Sequence, residues 1–182
     1  MSLTTAQLVI LKNAILGDSA LAADVATGNQ GVILDYMNAD SSPAFIVWRS
    51  SVKVEEIYDA ITWSALTPTD NPDDTQAWLN RSLACQGKQF NLQTMLTGRA
   101  TISGAKPAIR AGLQDALTNV PSGTGGAAVN AGWAAVKSAL SRAATRAEKL
   151  YATGAGTTAA PGSLVVDGKL AMYDIVQALT QV

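Results

Sequence analysis

The chain contains no histidine and a single cysteine, Cys85. Without imidazole there is no Ser-His or Cys-His nucleophilic catalysis, and one thiol cannot begin a zinc site or an internal disulfide. Cys85 therefore reads as a small buried apolar residue on a helix. Long apolar runs are missing too: nothing approaches the ~18 residues needed to span a bilayer. The opening MSLTTAQLVILKNAILGDS lacks a basic lead and carries Lys12 inside its apolar patch. It reads as an amphipathic helix rather than a signal peptide, which implies synthesis in the cytoplasm. With 182 residues, 48% of them hydrophobic, the chain can bury one proper core.

What is present is helical spacing, with little strand alternation. Thr4 and Gln7 have capping-box spacing, and Leu8, Leu11 and Ile15 then share a face. Short helices are predicted around 20–26 and 30–38. The β-prone run Ala44-Phe45-Ile46-Val47-Trp48 follows, and Val54, Ile57, Tyr58 and Ile61 mark a further helix over 53–63. Residues 66–74 form a loop in which Asp73 or Asp74 would cap a helix running through Trp78, Leu79 and Leu83. Phe90–Leu96 is another helical turn or two, stopped by Gly98. Pro107 opens a helix whose apolar face is Ile109, Leu113, Ala116 and Leu117. The prediction is mostly α: a single helical domain over 1–182, a bundle with long loops, at most a short β-hairpin, and an extended arm or loop at 153–169.

The last fifty residues carry the clearest pattern. Taken as one helix, Trp133–Tyr151 places Val136, Leu140, Ala144, Ala147 and Tyr151 within about 60° of Trp133. Arg142, Arg146 and Lys149 then gather on the opposite side, about 160–220° round. Such a cationic face is read as a solvated surface, as a contact for an acidic neighbouring subunit, or as a contact for DNA phosphate. The segment that follows, ATGAGTTAAPGS, is too rich in small residues to hold a shape by itself. It is either a free loop or a segment that lies on an adjacent subunit, with Gly154, Gly156 and Pro161 as contact residues. Leu164–Val166 before Asp167-Gly168 suggests a brief strand and turn. Charge is unequal along the chain: residues 1–98 hold five Lys/Arg against ten Asp/Glu, and residues 99–182 hold eight against four. Neighbouring copies meeting acidic end to basic end is one reading of that asymmetry.

Motifs for chemistry fail on inspection. Gly123-Thr124-Gly125-Gly126-Ala127-Ala128 lacks the Gly-Lys-Ser/Thr ending of a phosphate loop, and Gly154-Ala155-Gly156-Thr157 follows a helix rather than preceding one. Asp70, Asp73 and Asp74 serve as caps and loop solvation, and Glu55, Glu56 and Asp59 suit a helix beginning. No catalytic, cofactor-binding or metal site is expected, and no enzyme. Arg49, directly after Trp48, either salt-bridges at the edge of the core or anchors an interface, where Trp and Arg are common.

The pair of segments SSPAFIVWRSSV (41–52) and ATRAEKLYATGAGTTAAPGSLVVDGKLAMYDI (144–175) resembles a family of small tailed-bacteriophage proteins. Its members show a "PAF-VWR" segment and later a "RAEKLFATGTGT-ASPA" segment before a short "G-(L/I)-(S/T)-Y-D(V/I)" ending. This chain departs at Tyr151, where Phe is typical, and at Met172, where Ser or Thr is common. The resemblance implies a virion structural protein of the neck, a head-to-tail adaptor whose copies form a ring, often of twelve, between portal and tail. Implied partners are further copies of the chain, portal protein and tail or neck proteins, with DNA passing through unread and no membrane. A DNA-binding or packaging accessory, or another neck, tail or capsid-associated protein, are the alternatives.

Overall fold

The computed structural model describes residues 3–67, 77–120 and 128–180. As the periodicity predicts, the chain is mostly α, with two small two-stranded sheets among the described residues. No helix among them is long and apolar enough to cross a membrane. The chain forms two compact units: residues 1–48 with 142–182, and residues 49–141. No linker signature separates them in the sequence, because the first unit is discontinuous and the chain leaves and re-enters it within continuous structure.

In the first unit α1 (Thr5–Gly17) begins at the predicted capping box, with Thr4 Oγ1 accepting from Gln7 N–H and Gln7 Oε1 accepting from Thr4 N–H. Leu8, Leu11 and Ile15 point inward as the spacing requires. They pack with Leu21, with Ile33 and Met37 of α3 (Gln30–Asn38), and with Ile175 and Ala178 of α10 (Met172–Thr180). Helix α2 (Ala22–Thr27) ends at Gly28 in the left-handed region, where no Cβ penalty applies. Strand β1 (Ile46–Trp48) follows the turn after α3.

The second unit opens with β2 (Val52–Lys53) and α4 (Val54–Ala60), followed by the short α5 (Trp63–Leu66). A single helix, α6 (Leu83–Leu96), spans what the sequence suggested as two pieces. Its N-cap is Ser82, whose hydroxyl accepts from Cys85 N–H, and Trp78–Asn80 is a separate 3-10 turn. The helix through Leu83 is therefore not capped by Asp73 or Asp74, which lie outside the described residues together with Asp70 and the glycine-rich residues 123–127. Cys85 is buried. Strand β3 (Thr101–Ile102) pairs antiparallel with β2, and α7 (Pro107–Leu117) starts at its proline and buries Leu113, Ala116 and Leu117. Ile109 is only half-buried.

The largest correction concerns 133–151. Instead of one long helix the chain forms α8 (Trp133–Ala139), β4 (Ser141–Ala143) and α9 (Arg146–Tyr151). The physical reason is local. Thr145 caps a new helix with its hydroxyl on Glu148 N–H, and the Glu148 carboxylate accepts from Thr145 N–H in return. A reciprocal capping box satisfies donors that a continuing helix would have used internally. Val136, Leu140, Ala144, Ala147 and Tyr151 are all buried as their spacing suggests, but the first two serve the second unit and the others the first.

Candidate functional site

Residues 41–48 of the first segment that carries the resemblance meet the second segment within the first unit, and the meeting is built on β1. On one side β1 lies beside β4, with Ala144 N–H donating to Phe45 C=O at 2.8 Å. Its other edge takes the glycine-rich excursion: Ile46 N–H donates to Gly156 C=O (2.7 Å), Gly162 N–H to Ile46 C=O (2.8 Å) and Trp48 N–H to Gly162 C=O (3.0 Å). Thr153 and Ser163 exchange two backbone bonds of 2.9 Å that close the excursion's base. Segment 153–169 is therefore folded onto its own unit, and it does not project as an extended arm. The bridging falls at Gly162-Ser163 rather than at Leu164–Val166, where Val166 is buried and Val165 exposed.

Glycine is required here by close approach. A Cβ on Gly156, whose φ is +65°, would overlap the Phe45 ring, and one on Gly162 would come within 2.7 Å of both Phe45 Cε1 and Thr153 O. Gly154 is also left-handed, at φ +96°, and Pro161 is half-buried. These three predicted contact residues belong to the fold of the excursion. Trp48 is buried at the end of β1. Arg49 takes the first of its two readings: within the second unit its guanidinium reaches both carboxylate oxygens of Glu56 and donates to Ala139 C=O at 2.9 Å. That contact holds the Glu56 carboxyl below its ordinary range, although burial opposes the shift.

The predicted cationic face does not exist as one surface, because its three residues sit on two elements with different partners. Arg142, on β4, grips both oxygens of Glu148 at 2.7 and 2.6 Å and also reaches Asp167 at 2.8 Å. Glu148 is only 1% exposed, and it further accepts from the N–H groups of Thr145 and Gly168. Burial by itself would raise its pKa. The guanidinium and the two backbone donors outweigh it and hold the carboxyl at about 2. Arg146 instead stacks over the Tyr36 ring, 4.1 Å from its centroid, and donates to Tyr36 C=O. Lys149 makes one long contact, 3.4 Å, to Pro43 C=O.

No family model, curated protein or solved structure matches the chain. Among the described residues no group of His, Cys, Asp or Glu is arranged to hold a metal ion. The charge asymmetry along the sequence also disperses on folding. The first unit holds five Lys/Arg against seven Asp/Glu, and the second holds eight against seven. An acidic end and a basic end therefore do not survive as separate bodies.

The sequence reading missed Glu148 and Asp167. Thr145-Arg146-Ala147-Glu148 is a capping-box signature and could have located Glu148. Asp167 had no local signal. At Tyr151 the departure from Phe matters, because its hydroxyl donates to Gln7 C=O at 2.8 Å, tying α9 to α1. Burial first, and the Asp174 charge second, push its pKa up to about 12. Tyr151→Phe should cost about 1 kcal/mol. In urea the unfolding midpoint should fall at unchanged slope, and an unchanged midpoint would show that this bond contributes nothing.

Proposed function

We propose that the chain is a structural virion subunit, of the head-to-tail adaptor kind, that works by assembling with copies of itself and with portal or tail proteins. The observation that carries the assembly part is a set of exposed apolar side chains in the second unit: Leu79 and Leu83 are 85% exposed and Phe90 68%. Leu83 and Phe90 are seven residues apart on α6, so they share a face opposite the buried Cys85, Leu92 and Leu96. Single exposed apolar residues are ordinary, but three within twelve residues, two of them aligned, support the reading of an interaction surface. The virion part rests on the sequence resemblance, supported by the way residues 41–48 and the second segment fold onto each other as one module.

Native mass spectrometry of the purified chain, alone and with a portal complex, tests the reading. The expected result is a high-order ring, alone or on the portal, that is lost in Leu83→Ser/Phe90→Ser while circular dichroism stays unchanged. A chain that stays monomeric and fails to bind the portal would exclude an adaptor. The DNA-accessory alternative is weakened, because of the three cations read as one face Arg142 is committed to Glu148 and Asp167, which leaves only Arg146 and Lys149 of that face.

A further inference from the structure

We infer that the first unit contains an oxyanion site, formed by Arg146, Lys149, Ser41 and Ser42 and suited to a phosphate group. These residues line one cavity of about 300 Å³, together with Tyr36 and Asp18. The case rests on the balance of donors and acceptors. Arg146 is held by the Tyr36 ring, by one bond to Tyr36 C=O and by the Tyr36 hydroxyl, and it forms no salt bridge among the described residues. The ammonium of Lys149 has its one long contact at Pro43, beside Ser42. Ser42 makes no hydrogen bond among the described residues.

Ser41 is the decisive member. Only 6% exposed, it accepts from Phe45 N–H at 2.9 Å, and no acceptor for its own hydroxyl proton is found among the described residues. Ser41 lines the cavity, and a buried hydroxyl proton without an acceptor is uncommon and calls for a ligand or water to receive it. The one carboxylate in the wall is already engaged: Asp18 accepts from Tyr36 O–H at 2.8 Å and from Ala20 N–H at 3.0 Å. Arg146 and Lys149 outnumber that one carboxylate, so the lining keeps a net positive charge. A ligand that offers only acceptors, as phosphate does, matches that lining, and charge-assisted bonds from Arg and Lys would supply most of the binding. The inference is independent of the assembly role proposed above.

The test is titration of the full chain with inorganic phosphate, followed by amide NMR. Saturable shifts should appear at Ser41, Ser42 and Arg146. Lys149→Gln, whose fold contribution is one long contact, should weaken binding about tenfold, as should Arg146→Gln. Spectra away from the cavity report whether each variant stays folded. A short DNA duplex serves as the second probe. If it shifts the same amides and competes with phosphate, the site takes backbone phosphate; if it leaves them unmoved while phosphate binds, the site takes a free anion. The inference is overturned if neither probe moves these amides, or if Lys149→Gln binds phosphate as tightly as the native chain.

Discussion

Glu148→Gln is expected to remove about 3 kcal/mol of stability at neutral pH and to abolish a distinct arm of the acid-unfolding curve. Glutamine has nearly the same shape, so the test removes charge rather than volume. In the native chain the Glu148 carboxylate collects four donors from three places: Arg142 on β4, Thr145 N–H at the start of α9, and Gly168 N–H beyond the excursion. Losing the charge leaves Arg142 with Asp167 and the solvent that its partly exposed side chain can reach. That escape is why the loss should fall at the lower end of what breaking a buried pair costs.

The direction of the pH effect follows from the sign of the shift. The folded carboxyl sits at about 2 against an ordinary value of 4.5. Its contribution is fully present above pH 4.5 and drains away as pH falls from there towards 2. Between those limits native unfolding free energy should drop by about 3 kcal/mol from this group alone, and Glu148→Gln should lack that part of the fall. Arg142→Met leaves the buried carboxylate only its backbone donors, so the carboxyl should protonate at higher pH than in the native chain. Urea unfolding at several pH values measures all three chains. Native and Glu148→Gln curves that stay parallel from pH 5 to 2 would defeat the assignment.

How far the sequence foretold this depends on how local each cause is. Helix α1 was legible because its capping box and its Leu8, Leu11, Ile15 stripe are contained in one window. Pro107 announced α7, and Cys85 went inside as an unpartnered thiol should. The 133–151 region misled because its apolar positions satisfy two structures at once. The spacing that suits one helical stripe also suits a helix, a strand and a second helix that bury the same residues in different units. The capping box at Thr145 carried the correct break, with the same x-x spacing that located α1, and it was overridden by the longer periodicity. Arg142 reaching Asp167, or Phe45 reaching Gly156, joins residues that no window spans, so composition could identify 153–163 as unable to hold a shape alone but not what it lies on. The candidate site shifted for the same reason. Arg142, Arg146 and Lys149 formed one face only while the helix was continuous.

Gly156→Ala should be the second severe substitution, and its cause can be isolated. The added methyl meets a penalty for φ +65°, about 1 kcal/mol, and it also overlaps the Phe45 ring, where overpacking costs typically 1–3 kcal/mol. A loss of about 2–4 kcal/mol is therefore expected. Gly156 C=O is the acceptor for Ile46 N–H, so moving either residue also loosens the excursion's hold on β1. Phe45→Ala separately removes a large half-buried ring and should cost about 3 kcal/mol. The double variant discriminates. If the Gly156 effect is mainly collision with that ring, Gly156→Ala placed in the Phe45→Ala background should cost only the backbone part, a coupling of about 1–3 kcal/mol between the two sites. Additive losses would mean that the left-handed backbone, not the ring, makes glycine necessary. Amide exchange at Ile46, Gly162 and Trp48 would show which part opens. If the excursion is an integral layer of the first unit, these amides should lose protection together in Gly156→Ala. Loss confined to 153–163, with β1 still protected, would instead make the excursion a separable segment resting on a finished core.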